Sequence, residues 1–270
     1  MRTLVHLSDL HFGRVDATLL APLTQTIASL APDMVVVSGD LTQRARIAQF
    51  QAARQFLDTL PTPQIIVPGN HDVALHNVVR RFLRPLDRYR RYVTDDLEPF
   101  YDDAEIAVVG INSARSLTIK GGRINPVQIA RVRERFAQAS KQAIRIVVSH
   151  HPFDVPEAHG NAIVGRASMA MEAFAACGID LFLAGHLHLS HTVSTAARYR
   201  IPGFAALAVQ AGTATSTRRR DERNSFNAIR IESTRIAIQP HVWNPDAGQF
   251  EASTDTAFAR GPEGWAPVPC

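Results

Sequence analysis

The chain has 270 residues, 46% of them hydrophobic and 20% charged, with a net charge of +4 and a pI near 9.5. That is ordinary globular composition, in a chain long enough for one large α/β unit with a substantial core. No apolar run approaches the roughly 20 residues a bilayer-spanning helix needs. Residues 1–7 read as a first strand, not as a signal peptide, so a cytoplasmic location is expected.

Strands and helices alternate over the first two-thirds. Residues 3–7 form a strand. Leu19, Leu20, Leu23, Ile27 and Leu30 make a helical stripe over 18–30. The continuous apolar run 34–37 suits a strand buried on both faces. A helix over 47–60 turns Phe50, Ala53, Phe56, Leu57 and Leu60 inward, and 64–67 is a third strand, stopped by Pro68 and Gly69. Further strands are expected at 105–111 and 144–149. Between them, Asn125 caps a helix that opens with Pro126. A short helix over 168–177 ends at Gly178, and 181–184 is again a strand. After His188 the pattern turns to short β segments at 192–194, 205–210, 225–231 and 235–241. These elements predict an α/β fold, a four-layer α/β/β/α sandwich of two mixed sheets flanked by helices. Residues 1–243 would form the folded domain. Residues 244–270, rich in Gly, Pro and Asp, would be a tail draped on the surface and partly ordered by Trp243 and Trp265.

Five short motifs follow apolar runs: S-D-L-H at 8–11, S-G-D at 38–40, G-N-H-D at 69–72, S-H-H-P at 149–152 and G-H-L-H at 185–188. They place Asp9, His11, Asp40, Asn70, His150, His186 and His188 at strand ends, so a sheet aligning those ends would gather them at one rim. Any one of these residues alone is ordinary: a helix cap, a turn asparagine, a surface histidine. Five polar loops together point to a metal centre of two ions. Carboxylate and imidazole donors without thiolate favour Mn, Fe or Zn, with Co a further option, and the histidines argue against an oxygen-only Mg or Ca site. One carboxylate can bridge two ions, and such a pair supplies hydroxide at neutral pH. The two cysteines, Cys177 and Cys270, have no metal-site spacing and are expected to stay free.

The motif set D-L-H, G-D, G-N-H-D, H-H-P, G-H-L-H, in that order over residues 9–188, resembles the calcineurin-like metallophosphoesterase superfamily. S-G-D-L-T at 38–42 and V-P-G-N-H-D at 67–72 are most similar to its bacterial cyclic-nucleotide and glycerophosphodiester phosphodiesterase branch. The resemblance implies one ion on Asp9, His11 and His188, another on Asn70, His150 and His186, and Asp40 bridging them. It implies His71 as the catalytic group at the leaving oxygen, with Asp72 orienting the His71 ring. It also implies attack of a metal-bound hydroxide on phosphorus. His150 is preferred to His151 as ligand because it lies two residues before the proline and adjacent strand residues point apart. That leaves His151 to support or packing. His76, His159 and His191 are expected to play ordinary surface or packing roles.

The implied substrate is a small phosphodiester, 3′,5′-cyclic AMP-like. The competing readings are a glycerophosphodiester or lipid-headgroup diesterase at a membrane surface, a nuclease, and a non-catalytic metal-core scaffold. An Arg-rich helix over 77–92 would set Val79, Phe82, Leu86, Tyr89 and Val93 on one face and Arg80, Arg84, Arg88 and Arg91 on the other, with Pro85 kinking or splitting it. Its basic face is either simply solvated or a contact for an anionic surface. Arg218, Arg219, Arg220 and Arg223 read as a surface loop. Asn112 and Ser113, at the end of strand 105–111, could approach the substrate. A homodimer through the Arg-rich helix or the C-terminal β segments is left open.

Overall fold

The computed structural model describes residues 1–74, 78–116, 118, 121–217 and 222–268. His76, Arg218, Arg219, Arg220 and Cys270 lie outside them. Two sheets form the centre. In the first, β1 (Arg2–Leu7), β2 (Met34–Val37) and β3 (Gln64–Ile66) run parallel. The second holds β4 (Phe100–Asp102), β5 (Ile106–Ile111), β6 (Ile144–Ser149), β7 (Leu181–Ala184), β8 (His191–Ser194) and β9 (Leu207–Gln210), in the order β4-β5-β6-β7-β9-β8. Its four inner strands are parallel and both edge strands antiparallel. β10 (Ser225–Ile231) returns to the first sheet beside β1, and β11 (Arg235–Asn244) pairs with β10.

Alternation along the strands divides the core into three layers. Leu4, Val36 and Ile65 face Val108, Ile146, Val148 and Leu183 across the sheet–sheet interface. Val5, Leu7, Val35 and Val37 face outward onto α1 (Leu20–Ser29) and α2 (Ile47–Leu57) through Leu23, Ile27, Phe50 and Phe56. On the opposite side Val109, Val147 and Phe182 meet Phe136 of a later helix, Pro126–Gln138, and Phe174 of another, Ala167–Ala176. The four-layer α/β/β/α sandwich is the expected fold.

Two expectations are corrected. The Arg-rich helix divides at Pro85, as expected, into α3 (Val78–Leu83) and α4 (Asp87–Tyr92), which makes Pro126–Gln138 α5 and Ala167–Ala176 α6. The faces of α3 are not those expected. Val79, Phe82 and Leu83 are 68%, 53% and 76% exposed, while Arg81 is buried and donates to the carbonyls of Ser116 (2.6 Å) and Thr118 (2.8 Å). The second correction concerns residues 244–268, which are not draped. They add β12 (Gln249–Ala252), β13 (Thr256–Gly261) and β14 (Gly264–Val268) to the edge of the first sheet, so position 243 is the interior of β11 and not a boundary. Phe250, Ala257, Phe258 and Trp265 are buried there. Trp265 Nε1 donates to Asp180 at 2.9 Å, and its backbone N–H donates to Ala205 at 2.7 Å. No helix among the described residues is long and apolar enough to cross a membrane.

Candidate metal centre

The parallel strands β1, β2, β5, β6 and β7 all end at one rim, and the loops leaving them turn sharply. Asp9, His11, Asp40, His186 and His188 have φ between 50° and 74°, five of the nine non-glycine residues with positive φ among those described. Such backbone is costly for bulky side chains and persists only where surroundings enforce it. Hydrogen bonds do so here. His11 N–H donates to the Asp40 carbonyl (2.9 Å) and Asp9 N–H to Gly39 (3.1 Å), while the hydroxyls of Thr213 and Thr215 hold the carbonyls of Asp9 and Leu10 at 2.7 Å each. Close approach of backbone to carboxylate needs glycine at two positions. A Cβ on Gly69 would lie 2.1 Å from Asp40 Oδ1, and one on Gly185 would lie 1.7 Å from Ser8 Oγ and 2.4 Å from Asp9 Oδ2.

The seven expected ligand side chains come together, and all except the part-buried His186 are buried. In one group Asp9 Oδ1 lies 3.5 Å from His11 Nε2 and 3.1 Å from His188 Nε2, and the two ring nitrogens are 3.1 Å apart. In the other, His150 Nε2 lies 3.1 Å from Asn70 Oδ1 and 3.3 Å from His186 Nδ1. Asp40 Oδ2 stands between them, 3.8 Å from His11 Nε2 and 3.4 Å from His150 Nε2. These are donor atoms aimed at common points. Asp9 Oδ1 is buried with no hydrogen-bond partner, and paired imidazole nitrogens this close want a shared cation. The chemistry of the set, oxygen and imidazole nitrogen without sulfur, fits two transition-metal ions. His150 Nδ1 points away and donates to the Ser38 carbonyl (2.9 Å), which fixes its tautomer with Nε2 inward.

Charge in the cluster is strongly coupled. Burial works against the ionised form of Asp9, but His188 and His11 hold its pKa well below the usual carboxylate range. Burial likewise opposes protonation of His150, yet Asp40 and Asp9 raise its pKa to about 9. Burial and the adjoining His150 lower His186 to about 4, which keeps it neutral and able to ligate. Behind the site the buried His6 bonds Ser38 Oγ (2.9 Å), and burial lowers its pKa to about 3.

His71 sits beside the cluster, its ring edge-on to His11 with centroids 5.0 Å apart. Its Nδ1–H donates to the Gln43 carbonyl (2.8 Å), which fixes the orientation of the ring. Asp72 does not orient that ring, contrary to expectation. Its buried carboxylate accepts from the backbone of Leu41 (3.1 Å), Thr42 (2.9 Å) and Gly69 (3.0 Å), and from Thr42 Oγ1 (2.9 Å). Residues 70–72 form a 3-10 turn, and successive side chains of a tight turn diverge, so Asp72 fastens the loops while His71 faces the cluster. Burial and the neighbouring Asp40 raise the Asp72 pKa to about 6, against the pull of those N–H groups.

His151 does not point away from His150. Their rings are 4.9 Å apart, and one nitrogen each of His150, His151 and His186 falls within a span that could hold an ion. Ser113 Oγ lies 2.8 Å from His151 Nδ1. Asn112 is otherwise engaged, its side chain accepting from Ala114 N–H at 3.0 Å. Sequence reasoning missed Gln43, Thr213 and Thr215. Gln43 acts through a main-chain carbonyl, and the threonines lie far along the chain from the loops they hold. Of the expected basic face on 80–91, Arg84 and Arg91 are exposed, but Arg80 pairs with Asp87 (3.2 Å) and Arg88 donates to the Ala45 carbonyl (2.7 Å).

The profile of the calcineurin-like phosphoesterase family matches residues 2–190. Among curated proteins, a glycerophosphodiester phosphodiesterase GpdQ of Enterobacter lignolyticus is 28% identical over 173 residues, 59% of this chain and 60% of that protein. A probable cyclic nucleotide phosphodiesterase of Vesicomyosocius okutanii is 24% identical over 157 residues, 56% and 61% of the two chains. The chain therefore spans about half to three fifths of the length of such relatives. Among solved structures, purple acid phosphatase PPD1 of yellow lupin superposes with a TM-score of 0.67 at 12% identity, covering 94% of this chain and 53% of that one. The structure of PhoD superposes at 0.70 and 9% identity, covering 99% and 71%. These likenesses are of fold. The family match encloses every gathered donor from Asp9 to His188, and the chain belongs to the calcineurin-like phosphoesterases.

Proposed function

We propose that the protein is a two-metal phosphodiesterase that hydrolyses small phosphodiesters, with 3′,5′-cyclic AMP-like compounds the first to test. The observation that carries this reading is Asp40 Oδ2 lying between two donor groups with the His71 ring alongside. Asp9, His11 and His188 would hold one ion, Asn70, His150 and His186 the other, and Asp40 both, with Mn, Fe or Zn the best match to the donors. Bound there, the ions supply charge neutralisation at the phosphate and an acidified water. The chain's own residues do the rest. The Asp40 carboxylate, fixed by His71 N–H (2.8 Å), keeps the two groups in register. The Gln43 carbonyl holds His71 so that Nε2 meets the leaving oxygen as it gains charge, as general acid. The test is a panel with Mn-reconstituted protein: bis(4-nitrophenyl) phosphate, cyclic nucleotides, glycerophosphodiesters, nucleotide-sugar pyrophosphates and single-stranded DNA. Failure on every diester with two ions bound per chain removes the reading.

A second reading, a diesterase for glycerophospho- or lipid-headgroup substrates at a membrane, is favoured by the exposed Val79, Phe82 and Leu83 beside the exposed Arg84. It expects binding to vesicles containing phosphatidylglycerol that weakens on Phe82→Ser/Leu83→Ser. Equal partition of variant and parent rejects it, and dimer formation through the same face would assign the patch to a second copy instead.

A further inference from the structure

The rim carries a second concentration of charge that the metal centre does not use. The loop after β5 and the loop after β6 are stitched together beside His151. Arg123 N–H donates to the Ser113 carbonyl (3.0 Å), Gly165 N–H to Gly122 (2.8 Å) and Ile124 N–H to Gly165 (3.1 Å), with Arg123 bridged to Gly165 as a short parallel pair. Gly122 presses on the His151 ring so tightly that a Cβ there would lie 2.3 Å from it, and that ring is 4.7 Å from His186. Arg123 therefore leaves the backbone one residue from the edge of the metal cluster. Its side chain runs alongside Gly165, whose Cβ would meet Arg123 Cγ at 3.4 Å. Arg166 follows directly, exposed, with φ of 69°, an uncommon conformation for so large a side chain.

Arg115 completes the group from the same loop, half-buried, its guanidinium on Gln128 Oε1 at 2.7 Å. Burial lowers its pKa, Glu98 raises it, and Arg123 and Arg166 both lower it again, so Arg115 lies within reach of both other guanidiniums. Glu98, the acid acting on Arg115, is already engaged by Gln128 Nε2 and Arg131. Among the described residues no carboxylate is paired with Arg123 or Arg166. Like charges gathered beside a reaction centre, with the one acid near Arg115 already paired to Arg131, are costly unless an anion joins them, and guanidinium forks match phosphate oxygens in shape and charge.

We propose that Arg115, Arg123 and Arg166 form an anion subsite next to the metal centre, and that the preferred substrate is a phosphodiester bearing a second, terminal phosphate on one arm. This rests on the phosphodiesterase reading for the scissile group, and it moves the preferred substrate away from diesters whose arms are neutral or cationic. The test uses a matched pair, thymidine 5′-(4-nitrophenyl phosphate) with and without a 3′-phosphate, on the Mn-loaded protein. The 3′-phosphate should lower KM by about 10-fold, and Arg123→Ala/Arg166→Asn should reduce that advantage to about 3-fold or less. Asn is chosen at 166 because it tolerates positive φ. Arg123→Glu alone, at an exposed position, should abolish the advantage altogether.

A binding arm separates this inference from the function it builds on. Thymidine 3′,5′-bisphosphate and thymidine 5′-phosphate are titrated into chelator-treated protein by calorimetry. The bisphosphate should bind about 10-fold tighter, and the preference should fall away in the double variant. Equal affinities in the parent, or a preference that survives in a double variant with unchanged thermal unfolding, overturn the subsite. Preferential bisphosphate binding in a protein that cleaves neither ester would overturn the phosphodiesterase reading and leave the subsite standing.

Discussion

Gly185→Ala should empty the metal centre without unfolding the protein. The added Cβ would sit 1.7 Å from Ser8 Oγ and 2.4 Å from Asp9 Oδ2, whereas such contacts essentially never fall below 3.0 Å. Ser8 must retreat by about 1.3 Å and the Asp9 oxygen by about 0.6 Å. Two bonds that aim Asp9 then fail: Ser8 Oγ to Asp9 Oδ2 at 2.7 Å and His186 N–H to the same oxygen at 2.9 Å. Overpacking of this kind costs about 1–3 kcal/mol, which an α/β domain this size survives. A ligand misplaced by about 1 Å costs on the order of 10²-fold in rate. No left-handed backbone complicates the change, since Gly185 is not among the glycines with positive φ. The assay is Mn content by elemental analysis beside kcat/KM on bis(4-nitrophenyl) phosphate. Gly160→Ala is the control, because a Cβ there meets nothing within 4 Å. A Gly185→Ala protein with two ions per chain and parental kcat/KM would show that the glycine is not there to make room for Asp9.

Other perturbations divide the roles. His71→Ala should keep both ions and lose about 10²–10⁴-fold in kcat; parental turnover of a diester with a poor leaving group removes His71 from the chemistry. Asp72→Ala strands three N–H donors at roughly 1–3 kcal/mol each, so calorimetry should show a much larger loss of stability than for His71→Ala, and a smaller loss refutes the clamp. His6, lowered to about 3, stays neutral when folded while its unfolded counterpart takes a proton below 6.5. Its share of stability is therefore intact above 6.5 and lost as pH falls toward 3, roughly 5 kcal/mol in all, and His6→Phe should flatten the stability–pH curve in that window. His150, raised to about 9, has the opposite sign. In metal-free protein its contribution is full below 6.5 and disappears as pH rises through 9. Metal must displace that proton, so affinity should fall about 10-fold per pH unit below 9 in a chelator competition, and a flat profile contradicts it.

Most of the centre was legible because chemistry and position agree there. Buried apolar runs such as 34–37 and 181–184 end abruptly in Asp or His, and a ligand has to leave a strand at that point. What lay beyond reach depends on tertiary contacts. Asp72 follows His71 in sequence, and only the 3-10 turn reveals that the two side chains serve different partners. Pro85 announced the break between α3 and α4, but the outward turn of Val79 and Phe82 follows from Arg81 reaching carbonyls of a loop 35 residues away. The strands after Asn244 are four to six residues long, with one or two buried positions each, too few for a period of two to emerge. His151 was expected to diverge from His150 as strand neighbours do, but β6 has already ended at Ser149.

The pairing of β1 with β10 has a consequence for how the chain is made. Arg2 lies opposite Ile231, so β1 finds its antiparallel neighbour only when synthesis has reached residues 225–231. At about 5–20 residues per second that is an interval on the order of 10–45 s. During it β1 can pair with β2 alone, and its other edge, between Arg2 and His6, stays open to any strand that comes by. The segment that guards this edge lies outside the stretch matched by the family profile, as do Thr213 and Thr215, which hold the first ligand loop. Nascent chains stalled before residue 225 should therefore need a holding partner, and the centre is completed by residues beyond the stretch that the family profile matches.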